Sequence, residues 1–280
     1  MSEVIAAGLL GILQGLTEFL PISSTAHLIL VPWIFGWYPQ GIFFDVALHV
    51  GTAVAVLTYF WKEWRQLIIE AVTGILTRDP FGNRKRKLAW YLFAGTVPAA
   101  IIGLVFEHAV ERVLRSPLVT VVTLPVFGLI LYDAERRSSR TRSIDDITLA
   151  DSIWIGLSQA VALVPGVSRS GITITTALCR GADRATAARF SFLLSTPVIV
   201  GAGLLEAARL LNGAGHITGS GAHGPTWTVL IAGIAAASVT GFLCIKYFLR
   251  YLQTKTFVPF VIYRCALAIV VLVFYLQSRS

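Results

Sequence analysis

Charged residues are scarce in this sequence. Asp, Glu, Lys and Arg make up 14% of 280 residues, where a soluble globular chain carries about 25%. Disorder needs low hydrophobicity and high charge, so it is excluded. A nucleic-acid partner is disfavoured too, although the net charge is +8 and the isoelectric point is near 9.7. Cysteine is equally sparse. Cys179, Cys244 and Cys265 form no disulfide framework and have no metal-ligand spacing. Each sits in an apolar stretch, as small core residues do. The opening Met1-Ser2-Glu3 lacks a basic n-region, so the first apolar stretch is not expected to be a cleaved signal. What is abundant is hydrophobicity: apolar residues reach 55% and the mean hydropathy is +0.73. Long apolar runs recur along the whole length, which predicts an all-α polytopic membrane protein.

The first run, residues 4–31, is interrupted by Gln14, Thr17 and Glu18, then Pro21, then Ser23-Ser24-Thr25-Ala26-His27. Proline removes a donor and clashes with the preceding turn. A lipid-exposed break would leave backbone groups unpaired. The segment therefore reads as a re-entrant pair: a short helix in, a polar turn over 21–24, and a short helix out to about Pro32. Full spans are predicted over 42–61, 88–106 and 118–132, with a basic loop over 62–87. Residues 133–151, with Arg136, Arg137, Arg140 and Arg142, form a charged junction.

The second half repeats the first. Gly11-Ile12-Leu13-Gln14 matches Gly156-Leu157-Ser158-Gln159. Pro21, Ser24 and Thr52 match Pro165, Ser168 and Thr196 at an offset of 144. Ala94-Gly95 with Gly103 matches Ala232-Gly233 with Gly241 at an offset of 138. Repeat one then covers about 1–135 and repeat two about 150–280, within a single integral membrane domain. A re-entrant pair returns to its own side, and three spans is an odd number, so the second repeat is expected to lie inverted. Inverted-topology repeats place a site at their interface, built from broken helices. Short loops rich in Lys and Arg stay cytoplasmic. That puts 62–87, 133–151 and 246–255 inside, and the glycine-rich 212–225 outside. The 107–116 loop fits less well, with Arg112 and Arg115 offset by Glu107 and Glu111. Both termini fall on the outer face, and the first re-entrant pair enters from there.

A carboxylate within the membrane is costly and tends to be functional. Glu18 is such a group, and Gln14 shares its helix face. Ser23, Ser24, Thr25 and His27 follow in the turn; together these residues exceed what a turn needs to satisfy its backbone. The second break reads Pro165-Gly166-Val167-Ser168-Arg169-Ser170-Gly171-Ile172-Thr173. Arg169 needs water, a carboxylate such as Glu18, or an anionic ligand. Gly166 and Gly171 permit close backbone approach. Ser168, Ser170 and Thr173 offer hydroxyls, and a helix starting here aims free N–H groups at an anion. Arginine, hydroxyls and glycine at a helix start make a phosphate or diphosphate cradle. An acid, a hydroxyl and a histidine facing that cradle suit phosphoryl transfer. Glu18 and Gln14 could also provide oxygen ligands to Mg2+ or Ca2+.

These residues carry a resemblance. Gln14-x-x-x-Glu18 followed by Phe19-Leu20-Pro21-Ile22-Ser23-Ser24-Thr25-Ala26-His27 resembles the first signature of the undecaprenyl-pyrophosphate phosphatase (bacitracin-resistance) family, and 165–173 resembles the second. The likeness covers nearly the whole chain. It implies a multi-pass hydrolase of the bacterial inner membrane that removes the terminal phosphate of undecaprenyl diphosphate. That reaction recycles the carrier lipid for peptidoglycan and other wall polymers and confers bacitracin resistance. The resemblance also implies an inverted-repeat fold with two re-entrant pairs and a site open to the outer, periplasmic face. The family's (Glu/Gln)-x-x-x-Glu pattern falls on Gln14 and Glu18, its serine on Ser24, its histidine on His27 and its arginine on Arg169. Gln14 keeps an oxygen but lacks a charge, so a metal would depend more on Glu18. Ser24 is the expected nucleophile, assisted by His27 or Glu18; His27 as nucleophile is the variant.

A transporter or flippase of polyprenyl phosphate lipids would fit the repeat equally well. The serine, histidine and acid beside the cradle favour the enzyme. A lipid-binding scaffold leaves Glu18 and Arg169 unexplained. The expected partners are the lipid diphosphate and the bilayer; a homodimer is allowed but not required. Asp45 and His49 share one face of the first full span; a pairing near the site is open, and a structural pairing is the expectation. Glu206 and Arg209 are expected at the interface, and Arg180, Asp183, Arg184 and Arg189 in a cytoplasmic loop and helix start. Arg264 lies within a span and needs a partner that the sequence does not name.

Overall fold

A computed structural model describes residues 2–37, 41–109, 116–211 and 226–277. Every regular element among them is helical. The chain begins with α1 (Glu3–Phe19) and α2 (Ser24–Phe35), separated by the turn at Pro21. Next come α3 (Gly41–Tyr59), α4 (Trp61–Leu76), α5 (Arg84–Ala109) and α6 (Pro117–Arg137). A second broken pair follows, α7 (Leu149–Val161) and α8 (Arg169–Cys179), then α9 (Arg184–Leu211), α10 (Trp227–Leu252) and α11 (Val258–Gln277). Five helices, α5, α6, α9, α10 and α11, are long and apolar enough to cross a bilayer; α3 and α4, bent by 80° at the break between them, make up to a sixth span only when taken together. The protein is an all-α polytopic membrane protein.

One element differs from the sequence expectation. Residues 62–87 were expected to be a loop, yet sixteen of the residues around this segment form α4. Its basic residues suggested a loop, but Ile68, Ile69, Val72, Ile75 and Leu76 recur on one helical face and are exposed. Only Leu67 and Gly74 are buried. A helix with one apolar exposed face and a charged opposite face suits the membrane interface.

Close helix contacts are made by the repeated glycines. A Cβ at Gly11 of α1 would collide with the Gly233 carbonyl of α10, and one at Gly156 of α7 would collide with the Gly95 carbonyl of α5. Small residues let helices approach in lipid, where packing and not water drives association. Both contacts join a helix of a broken pair to a long apolar helix. In addition α3 packs on α9 and α6 on α11.

A polar layer ties the junction together. Asp151 is buried and accepts from Arg142 Nη2 and Arg180 Nε, both at 2.6 Å. It also closes a capping box with Thr148 at the start of α7. Glu135, buried at the end of α6, takes Arg184 of α9 and the backbone N–H of Phe257 before α11. Asp183 caps α9 by accepting from Thr186 N at 2.8 Å. The stretch 212–225, expected outside, lies beyond the described residues, as does most of the 107–116 loop.

Candidate active site

The two broken pairs meet where the end of α1 and its turn reach the start of α8. Ser23 and Ser168 are the N-caps of α2 and α8, with φ of 74° and 72°, and each Oγ accepts from the backbone N–H three residues on. Non-glycine residues rarely adopt positive φ, and such strain concentrates at functional sites. This geometry moves the repeat register by one residue here. Ser168 corresponds to Ser23 rather than to Ser24, because both fill the cap. Ser24 and Arg169 are therefore equivalent: each is the first residue of its helix, where unpaired N–H groups favour an anion.

Glu18, buried near the end of α1, joins them. Arg169 Nη2 donates to Glu18 Oε1 at 2.6 Å, and Ser24 Oγ donates to Oε2 at 2.6 Å. Gln14 Nε2 donates to Oε2 at 3.0 Å. His49 Nε2 of α3 stands 3.4 Å from the same oxygen. Arg169 Nη1 is braced by the Ser191 carbonyl of α9 at 3.2 Å. Glu18, Ser24, His49 and Arg169 border a cavity of 270 Å3 together with Ser23, Thr25, Ser168 and Gln159. A second, apolar cavity of 450 Å3 runs between α5 and α9 and shares Ala99, Val198 and Ala202 with the first.

The remaining expected site residues do not border the site cavity. Gln14 is buried behind Glu18 and orients it. Gly166 has φ of 89°, and a Cβ there would collide with Thr123 Oγ1, so this glycine serves the turn. Ser170 Oγ donates to the Leu20 carbonyl at 3.0 Å and stitches the second break to the first. Thr173 bonds the Arg169 carbonyl at 2.8 Å and Ser191 Oγ at 2.7 Å.

His27 turns away as well. Its Nδ1 lies 2.7 Å from the Ser23 carbonyl and its Nε2 2.7 Å from Tyr263 Oη, with the two rings stacked. A carbonyl only accepts, so Nδ1 carries the proton and Nε2 accepts from the tyrosine. Both nitrogens are committed. The imidazole that borders the cavity is His49, which the sequence reading assigned to a pairing with Asp45. Its Nδ1 donates to the Asp45 backbone carbonyl at 2.7 Å. In the neutral ring Nε2 thus presents a lone pair towards Glu18. The available signal was an ionisable group inside a span, the same criterion that singled out Glu18.

Arg264 finds its partners in carbonyls. Fully buried, it donates to Leu124 O at 2.8 Å, Gly166 O at 2.8 Å, Val167 O at 3.1 Å and Pro21 O at 3.2 Å. One guanidinium of α11 therefore holds both broken turns against α6.

Among the described residues no three acidic, His or Cys side chains converge into a preformed cation cage. Mg2+ is commonly held by only one or two carboxylates together with waters and substrate phosphates. Among the described residues Glu18 is the one carboxylate bordering the cavity, so it is the group that would hold such an ion, although Arg169, Ser24 and Gln14 engage its oxygens here.

Fold and site together describe a polytopic membrane protein whose acid, hydroxyl and guanidinium are joined across two broken helices. The family model described as "Bacitracin resistance protein BacA" matches residues 7–270, and the chain belongs to that family. An undecaprenyl-diphosphatase of Pelotomaculum thermopropionicum is 46% identical over 270 residues, covering 96% of each chain. One of Moorella thermoacetica is 44% identical over 275 residues, covering 98% of this chain and 99% of its own. One of Geobacter sulfurreducens is 47% identical over 263 residues, covering 94% of each.

Proposed function

We propose that this protein hydrolyses undecaprenyl diphosphate to undecaprenyl phosphate and phosphate, the activity its relatives are named for. The observation that carries the reading is the chain Ser24–Glu18–Arg169, which puts a hydroxyl, a proton acceptor and a phosphate-binding fork in one cavity. Ser24 Oγ attacks the terminal phosphorus while the bond to the bridging oxygen breaks, and the lipid phosphate leaves. The serine proton passes to Glu18 Oε2 and on to His49 Nε2. Arg169 grips the equatorial oxygens as charge develops on them. Water then attacks the phosphoserine; His49 returns a proton to Ser24 Oγ, and phosphate is released. The apolar cavity between α5 and α9 takes the first isoprene units of the tail. Phosphate release from undecaprenyl diphosphate in detergent tests this directly: parent protein turns over, and Ser24→Ala does not. Activity in detergent also separates a hydrolase from a flippase, since no membrane is present to flip across.

The setting follows from the same reading. Recycling of the carrier lipid supports peptidoglycan synthesis and underlies bacitracin resistance. The protein sits in the bacterial inner membrane with basic segments 62–87, 133–151 and 246–255 in the cytoplasm and the site open to the outer side. Its halves, about 1–135 and 150–280, form an inverted pair. All site groups come from one chain, so a homodimer is not required for chemistry.

A further inference from the structure

We infer that Gln159 binds the diphosphate of the substrate, as a recognition residue distinct from the groups of the two breaks. This rests on the phosphatase reading. Gln159 lies on α7 and borders the same cavity as Ser24, Glu18 and Arg169. It is 5% exposed, and neither its Oε1 nor its Nε2 has a hydrogen-bond partner. Buried polar atoms are nearly always paired, and an unpaired one calls for an explanation. The repeat sharpens the point. Its counterpart Gln14 donates to Glu18 four residues on; four residues on from Gln159 stands Leu163. The second amide has lost the partner that occupies the first and faces the cavity instead.

Donor accounting shows what it is needed for. A diphosphate brings two or three negative charges, while the one arginine among the described residues bordering the cavity is already paired with Glu18. The balance must come from neutral donors. Ser24 Oγ donates its hydrogen bond to Glu18 Oε2, and Ser195 Oγ donates to the Phe192 carbonyl at 2.7 Å. Ser168 Oγ lies 3.2 Å from Ser170 Oγ and accepts from Gly171 N. The two protons of Gln159 Nε2 are uncommitted. They suit phosphate oxygens, and Oε1 suits a phosphate hydroxyl.

The test measures binding and turnover separately, in detergent, on full-length parent and Gln159→Leu. Leucine has nearly the same shape and leaves no polar atom unpaired, so the fold should hold. Binding is read with farnesyl methylenediphosphonate, whose bridge cannot be hydrolysed, and turnover with undecaprenyl diphosphate. The expected result is a Kd and KM about 10-fold higher, the scale of one or two neutral hydrogen bonds. kcat should stay within about 3-fold and the Tm of the ligand-free protein should not fall. Equal Kd for parent and variant overturns the inference. So does a fall in Tm and kcat with Kd unchanged, which marks a structural role. A parent that binds the analogue but releases no phosphate refutes the phosphatase reading while the Kd comparison still judges Gln159. A parent that does neither removes both.

Discussion

Ser24 Oγ lies 2.6 Å from a carboxylate and Arg169 lies 2.6 Å from the other oxygen of the same group. Substitutions there should separate nucleophile from clamp. Arg169→Lys keeps the charge but loses the planar fork, and should slow turnover about 100-fold, roughly 3 kcal/mol. Ser24→Ala should be more severe, because no group remains to form the covalent intermediate. The two histidines should differ. His49→Ala removes the terminal proton acceptor and should cost about 100-fold or more in kcat. His27→Ala breaks the bonds to Ser23 and Tyr263, and should lower Tm more than it lowers kcat. Phosphate release and thermal unfolding of the purified variants check this ranking; a dead His27→Ala beside an active His49→Ala would reverse the assignment. With one carboxylate to hold it, a cation would rely on the substrate's phosphate oxygens as further ligands, so elemental analysis of dialysed, substrate-free protein should find no stoichiometric Mg2+ or Ca2+.

At the scale of helices, glycine separates packing from passage. Gly15 of α1 faces α10, where a Cβ would collide with Thr240 Oγ1. Gly15→Val should therefore prevent the α1–α10 contact and abolish folded protein, measured as loss of a monodisperse peak in detergent. Gly103 and Gly201 border the apolar cavity, and a Cβ at either meets nothing within 4 Å. A helix-interior glycine costs about 1 kcal/mol against alanine, so packing does not account for these two. The repeat mate of Gly103, Gly241, is by contrast packed against Ala55 and Phe19. Of these two positions, the open one lies on the α5–α9 side. Gly103→Leu and Gly201→Leu should fill the apolar cavity and lower kcat/KM for undecaprenyl diphosphate about 10-fold relative to methyl diphosphate, which has no isoprene unit to place there. One or two buried methylene-scale contacts account for that factor, at about 0.8 kcal/mol per CH2. An unchanged ratio would mean that the tail leaves by another route.

Over the whole molecule, buried charges link the halves. Arg264 joins α11 to both broken turns and to α6, and Arg264→Met would leave buried carbonyls bare at about 1–3 kcal/mol each. A large drop in Tm is expected, with activity lost because the two breaks separate. At the junction, burial raises the Asp151 carboxyl, but hydrogen bonds from Arg142, Thr148 and Arg180 outweigh it and hold the group well below its ordinary 3.8. A depressed acid stabilises the fold above its unfolded value and loses that effect as pH falls through the folded value. The Tm gap between parent and Asp151→Asn should thus be constant from about pH 8 to 5 and shrink only below about pH 4. Orientation is testable on intact cells. Cysteine introduced at Arg84 should resist an impermeant thiol reagent, whereas one at Ser220 should react; equal labelling would reject the inverted arrangement.

The order of spans and breaks was legible in the sequence because lipid imposes it: twenty apolar residues mark a crossing, and a proline among serines marks a break that protein must cover. Gln14, Glu18, Ser24 and Arg169 were legible for the same reason, since polar groups in such runs carry a cost that function explains. α4 was not, because basic residues obscured its 3.6-residue apolar stripe. What the sequence by itself determined is the membrane class, the two breaks and the acid, hydroxyl and arginine that meet there. Only the tertiary structure decided which imidazole reaches Glu18, which glutamine faces the cavity unpaired, and that Arg264 binds carbonyls. Those outcomes depend on contacts between residues up to 243 apart. Spacing along one chain reports which residues share a helix face, but not which face of another helix packs against them.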